Sequence, residues 1–188
     1  FSQPSAFSNR QVGVNTLLTY PNDLLYDNKG NIHILWEWAK NVPSTSRFFP
    51  SYLRYNINQN AVYTLDGNET SIPVSPTTQG VALDERLTNM EYQSAKLAYD
   101  KNSEKPVFAF RSKLVGEQNF ALEVRYWHAN TWQQSTIQTQ SLGGSTPSFD
   151  IYVSEDTIGV YFASNNGSVF RATKPMVADT WSIHPIFE

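Results

Sequence analysis

Short apolar runs alternate with polar residues at a spacing of two, and Asn, Ser, Thr, Gly or Pro clusters separate the runs every eight to twelve residues or so, the mark of an all-β chain. The first clear group predicts four strands: Leu24–Asp27, Ile32–Trp38 after the Asn28-Lys29-Gly30-Asn31 turn, Ser51–Tyr55, and Ala61–Leu65 before Asp66-Gly67. A second group repeats the order at Ser94–Tyr99, Val107–Phe110, Ala121–Trp127 and Thr131–Gln133. A third does so at Ser148–Val153, Thr157–Ala163, Gly167–Ala172 and Asp179–Ile183. An arginine falls in the third strand of each group (Arg54, Arg125, Arg171), and an aromatic residue marks the fourth (Tyr63, Trp132, Trp181).

Three copies of a four-stranded antiparallel unit predict β-propeller blades, because one such sheet cannot cover both its faces and must stack on its neighbours. At roughly 45 residues per blade the chain has room for about four, so a partial propeller, or a piece of a larger ring, is expected. Residues 1–18 read as the tail of a preceding blade, 19–67 as a blade, 68–91 as a long surface link, and 92–140 and 141–188 as two further blades. Tyr20-Pro21-Asn22 reads as a polar, aromatic loop leading into the first strand. In a propeller such loops, together with those joining strands two and three, share the face at the axis. That face is expected to collect Tyr20 and Asn22, then Asn89, Glu91, Tyr92 and Gln93, then residues 145–147. Lys40, Arg47, Arg111, Lys113, Asn165 and Asn166 follow from the other set of loops.

Composition narrows the function classes. Of the 188 residues, 40% are hydrophobic, 14% aromatic and only 16% charged, enough apolar material for a sizeable core. A net charge of -3 without a Lys/Arg run argues against a nucleic-acid groove, and no apolar run is long enough to span a bilayer. Cysteine is absent, which removes disulfides and thiolate metal sites. His33, His128 and His184 have no partners at ligand spacing, so no metal or other cofactor is expected from this chain. Phe1 follows neither an initiator Met nor a signal-peptide pattern, which places the native N-terminus upstream or removed.

Tyr20-Pro21-Asn22, Gly30–Trp38 with Pro43 after it, Leu87–Gln93 and Arg125-Tyr126-Trp127 run in the order seen in bacterial BNR-type repeat proteins. The chain thus resembles the family that includes the seven-bladed propeller ulvan lyases, convincingly from Leu18 to Trp132. The resemblance implies cleavage of an anionic, uronate-containing polysaccharide by β-elimination, with the tyrosine of Tyr-Pro-Asn, here Tyr20, in the substrate cleft. It also implies a secreted or periplasmic bacterial protein, further blades from the same or another chain, and room for a structural zinc or calcium elsewhere in the full protein. Where the family often has Asn-His-Asp-Leu, this chain has Phe48-Phe49-Pro50-Ser51-Tyr52, so no family metal site is expected on this blade.

Elimination from a uronate needs a cation or strong donors for the carboxylate, a base for the adjacent carbon acid and an acid at the leaving oxygen. A phenol can act as base or acid when a cation stands beside it, which makes Tyr20 the catalytic candidate with Arg47, Lys40 or Arg111. Asn22, Asn89 and Gln93 are candidate partners for sugar hydroxyls. Trp36 and Trp38 alternate onto one face with Ile32 and Ile34 and read as packing; His33 reads as a satisfied packing histidine, and the arginines of the third strands as structural. Glu37 is a candidate supporting group. The rival class is a non-catalytic carbohydrate-binding or scaffolding propeller; a sialidase-like hydrolase is disfavoured because its Asp-rich turn repeats are missing.

Overall fold

The computed structural model describes residues 11–12, 15–40, 47–84, 89–137, 148–164 and 167–187, and every regular element among them is a β-strand. The chain forms two compact units, residues 1–95 and 96–188. Both consist of antiparallel sheets in which sequential strands pair, the arrangement of propeller blades.

In the first unit β1 (Gln11–Val12), β2 (Asn15–Tyr26), β3 (Asn31–Lys40) and β4 (Arg47–Asn56) follow one another across the sheet, with β5 (Ala61–Tyr63) and β6 (Glu69–Thr70) completing its edge. One face carries Trp36, Trp38, Leu53 and Val62, all buried, with Ile34 and Tyr55 packed against them. The expectation of packing for both tryptophans therefore holds; their rings meet edge to face at 6.1 Å. Trp38 donates its indole N–H to Ser51 Oγ at 3.0 Å, so its one polar group is satisfied inside the core.

The described part of the expected surface link that precedes β7, residues 68–84, does not stay on the surface. Val74, Val81 and Leu83 are at most 1% exposed, and the first two belong to the tryptophan cluster. The segment adds itself to β4 as an extra edge, Tyr52 N–H donating to Val81 O at 2.9 Å and Leu83 N–H to Pro50 O at 2.8 Å. Burying three aliphatic side chains accounts for the departure: each contributes about 1.5–3 kcal/mol when withdrawn from water.

On the opposite face His33 is buried between strands. With the imidazole neutral, Nδ1 accepts the Tyr52 hydroxyl at 2.7 Å and Nε2–H donates to Asp27 Oδ2 at 3.4 Å. Asp27 also accepts from the backbone of Lys29 and Asn31 and from the Asn31 amide, which ties the β2–β3 turn.

In the second unit the end of β7 (Met90–Asp100), β8 (Lys105–Leu114), β9 (Ala121–His128) and β10 (Thr131–Ile137) form one blade, and β11 (Phe149–Ser154), β12 (Thr157–Ala163), β13 (Val169–Pro175) and β14 (Ser182–Phe187) the next. β8 is buried from Pro106 to Ser112 without alternation, as a strand covered on both faces must be. A single apolar cluster joins the two sheets, Val107, Ala109, Leu122, Val124 and Tyr126 meeting Ile151, Ile158, Val160, Phe162 and Ala172. Inside it Lys174 donates from Nζ to the Tyr126 hydroxyl at 2.6 Å, and at its rim Trp181 Nε1–H donates to Ser135 Oγ at 2.9 Å.

The third-strand arginines do not share one register. Counting along the second strand of each blade, Arg54 faces the third residue (His33), Arg125 the fourth (Phe108) and Arg171 the fifth (Tyr161). Arg125 therefore points to the opposite face from the other two. All three still serve packing within their own blade: Arg54 lies 4.6 Å from the Tyr63 ring centre, Arg125 5.6 Å from Trp132 and Arg171 5.7 Å from Tyr152.

Burial, and to a lesser degree the charge of Arg54, holds the His33 pKa below its ordinary value, with the Asp27 hydrogen bond and charge opposing. For Asp27, burial acts upward but is outweighed by the hydrogen bonds from Asn31, Lys29 and His33, so its pKa is held down. Both groups bind protons more readily in the unfolded chain. Stability is thus full above about pH 6.5, falls first through His33 as the pH drops, and falls further through Asp27 below about pH 4. A series of thermal melts from pH 7 to 5 is expected to show a declining Tm, and His33→Asn to lower Tm at pH 7 while flattening that decline; an unchanged slope would remove His33 from the account.

Candidate functional site

Four departures from regular strand geometry gather at one end of the first unit's sheet. β2 is bulged between Pro21 and Asp23, and β3 against β4 between Trp36 and Trp38. Phe49 and Ser94 take left-handed backbone angles of φ 54 and φ 59, which bulky or ordinary L residues rarely adopt. Bulges and strained backbone collect where a sheet re-aims side chains toward a site. Here they surround Tyr20, Glu37, Arg47, Tyr92 and Gln93.

Tyr20-Pro21-Asn22 is accordingly not a loop: it is the middle of the twelve-residue strand β2. Proline lacks the N–H that a regular ladder needs, and the bulge with Asn22 as its extra residue resolves the conflict without ending the strand. Register then places Tyr20 directly across from Glu37, Ala39 across from Arg47, and Arg47 across from Tyr92.

The side chains close the arrangement. The Arg47 guanidinium sits 4.5 Å from the Tyr20 ring centre and donates from Nη1 to Glu37 Oε2 at 3.1 Å. Glu37 has no exposed surface, Arg47 is about a third exposed, and Tyr20 is 38% exposed. A buried carboxylate thus anchors a cation, which in turn lies against an accessible phenol. At this end of the sheet Asn22 Nδ2 and Gln93 Oε1, and on the tryptophan face Thr19 Oγ1 and Trp36 Nε1, are buried with no hydrogen-bond partner among the described residues. Buried polar groups are as a rule satisfied, so this end of the sheet carries more hydrogen-bonding capacity than those residues use.

The other expected site residues are placed as follows. Asn89 is exposed just before β7, and Gln93 is half-buried within it. Lys40 ends β3, its side chain outside the described residues, as are 43, 87–88, 145–147 and 165–166. Arg111 belongs to the second unit and to strand β8, not to a loop; it is fully buried, with its guanidinium 4.5 Å from the Phe120 ring centre, and so has no surface to offer a sugar. Lys113 shares that ring at 5.0 Å. Sequence reasoning held Glu37 only as a supporting candidate; it meets Arg47 across an irregular stretch of the β3–β4 ladder, which no local pattern announces. No group of three or more potential metal ligands occurs among the described residues.

Sheets of this kind define a propeller-type fold, and comparison with known proteins gives its family. Residues 3–140 match the BNR repeat-containing family, and the chain belongs to it. Among curated proteins no sequence matches. Two solved structures of an ulvan lyase, described as a new family of polysaccharide lyase, PL25, superpose with a TM-score of 0.70 at 13% identity over 98% of this chain, one of them bound to a GlcA(1-4)Rha3S repeat. At that identity the likeness establishes the fold, and this chain spans 46% of the lyase chain's length. A mutant Aleuria aurantia lectin in complex with alpha-methyl-L-fucoside matches with a TM-score of only 0.42 at 8% identity, covering 96% of this chain and 64% of its own.

The unequal burial of the ion pair gives an ordering to test. Arg47→Ala leaves a carboxylate without exposed surface deprived of its guanidinium, whereas Glu37→Gln leaves a guanidinium that still reaches water. Urea unfolding is expected to show Arg47→Ala costing about 3 kcal/mol and Glu37→Gln about 1–2 kcal/mol. The reverse ordering would contradict the geometry described.

Proposed function

We propose that this protein acts on an anionic, uronate-containing polysaccharide as a lyase, with Tyr20 as its catalytic residue on this chain. The single observation that carries the reading is the contact of an accessible tyrosine with an arginine anchored by a buried glutamate, on a family whose fold is shared with an ulvan lyase. In a β-elimination the proton on the carbon next to the carboxylate is removed, the bond from the next carbon to the glycosidic oxygen breaks, and the electron pair left behind becomes the new carbon–carbon double bond. The departing oxygen takes a proton, so the products are one unsaturated and one saturated chain end and no water is consumed.

Arg47 is the group placed to hold the substrate carboxylate, since a guanidinium presents a planar fork to two oxygens and stabilises charge that grows there as the proton leaves. Glu37 keeps that fork at the sheet end. The Tyr20 phenol stands beside it as proton acceptor or donor, and Asn22, Gln93, Asn89 and Lys40 are the groups proposed to meet hydroxyls and charge along the sugar chain. Activity of the whole protein, its sugar and a place outside the cell are part of the same proposal.

Incubation with ulvan or a polyglucuronate, following the ultraviolet absorbance of the unsaturated end, tests it. Wild type is expected to give a rise that Tyr20→Phe lowers by about 100-fold or more, the range of a lost general acid or base. Retention of the protein on a polysaccharide affinity gel with no rise would instead establish the non-catalytic binding propeller.

A further inference from the structure

The meeting of Arg47 with Glu37 turns on one extra residue in β4. Trp36 faces Ser51 and Trp38 faces Phe48, so Phe49 and Pro50 together stand opposite Glu37 alone, and Ala39 comes to face Arg47. Counted on from Trp36 and Ser51 without the extra residue, the ladder would set Arg47 against Lys40. A slip of one residue turns every later side chain to the other face. Arg47 would then leave the face on which Glu37 meets Tyr20 for the face of Trp36 and Trp38.

An extra residue has no place in the ladder, and its polar groups need partners elsewhere. Phe49, at φ 54, holds a backbone that a bulky L residue rarely adopts. The Ser51 hydroxyl donates to Phe49 O at 2.9 Å and accepts the Trp38 indole N–H at 3.0 Å. Neither Ser51 nor Trp38 has exposed surface, so solvent does not compete for that hydroxyl. Pro50 has no N–H to give, and its carbonyl accepts the Leu83 N–H at 2.8 Å. Both residues opposite Glu37 are thus held from outside the β3–β4 ladder, Phe49 by a side chain.

We propose that Ser51 is a positioning residue of the Tyr20–Arg47 site. By holding the Phe49 carbonyl, its hydroxyl keeps the extra residue in β4, and with it Arg47 Nη1 3.1 Å from Glu37 Oε2 and the guanidinium 4.5 Å from the Tyr20 ring centre. Ser51 touches no substrate and acts through register alone. Its effect on rate rests on the lyase reading; its effect on the ion pair does not.

A double-mutant cycle read by urea unfolding tests it. Arg47→Ala lowers the unfolding midpoint of the wild type, and in Ser51→Ala the same change is expected to lower it by less than about half as much, because the pair is already lost. Ser51→Cys, close in size but a weak donor, is measured beside it, so that a cavity in Ser51→Ala does not decide the result. Adding Phe49→Gly to Ser51→Ala is expected to restore most of the Arg47→Ala effect, since glycine takes a positive φ without support. On a polyglucuronate, Ser51→Ala is expected to lower kcat/KM about tenfold and the added Phe49→Gly to recover most of it. A purely structural role for Ser51 predicts no such rescue, because removing a half-buried phenylalanine ring only weakens the sheet further. An Arg47→Ala effect of full size in both Ser51 variants overturns the inference. So does failure of Phe49→Gly to restore it. Coupling and rescue in a protein that forms no unsaturated product would keep Ser51 as the residue that sets the pair and reject the lyase.

Discussion

A four-stranded sheet with apolar side chains on both faces cannot stand alone in water, and that constraint shapes everything else in this chain. The second unit meets it directly, with Val107, Ala109, Leu122 and Val124 of one blade closing on Val160, Phe162 and Ala172 of the next. The first unit meets it from its own sequence, folding Val74 and Val81 of an otherwise polar segment onto Trp36, Trp38 and Leu53. Covered sheets are rigid, and rigidity lets a few irregular residues at a sheet end be held in one geometry.

Those irregularities are where the chemistry can reside. Pro21 cannot donate to a regular ladder, and β2 bulges there; β4 sets two residues, Phe49 and Pro50, opposite the single residue Glu37; and Phe49 and Ser94 take positive φ. The result is an ion pair with one partner sealed in and the other reaching the surface against Tyr20. A carboxylate sealed from water is costly unless paired, so Glu37 has a strong preference for keeping Arg47 where it is.

The strands and their threefold recurrence were legible because alternating apolar residues between turn residues leave little choice of structure, and the packing roles of His33, Trp36 and Trp38 followed from their faces. What was hidden depended on distant partners or single-residue register. A proline inside an apolar run reads as a strand breaker, yet a bulge absorbed Pro21. Val74, Val81 and Leu83 are spaced too irregularly among Ser, Thr, Pro and Gly to announce a core segment. The arginines lie at matching places in the sequence pattern, but offsets of one residue turn Arg125 to the other face. Arg111 follows a run of aromatic and small residues that continues into it as strand, and its cation is covered by Phe120. Of the candidate site, the Tyr20–Arg47 pairing was within reach of sequence reasoning, while the role of Glu37 as their anchor required the bulged register.

The central claim is that the bulged sheet end of the first unit receives an acidic sugar at Tyr20 and Arg47. The most direct measurement is a crystal structure of the protein soaked with a uronate-containing oligosaccharide that it does not degrade. The account predicts a sugar carboxylate within hydrogen-bond distance of the Arg47 guanidinium, beside the Tyr20 hydroxyl, with the Arg47–Glu37 contact intact. Oligosaccharide bound elsewhere while the Tyr20 ring and the Arg47 guanidinium touch none of it would contradict it.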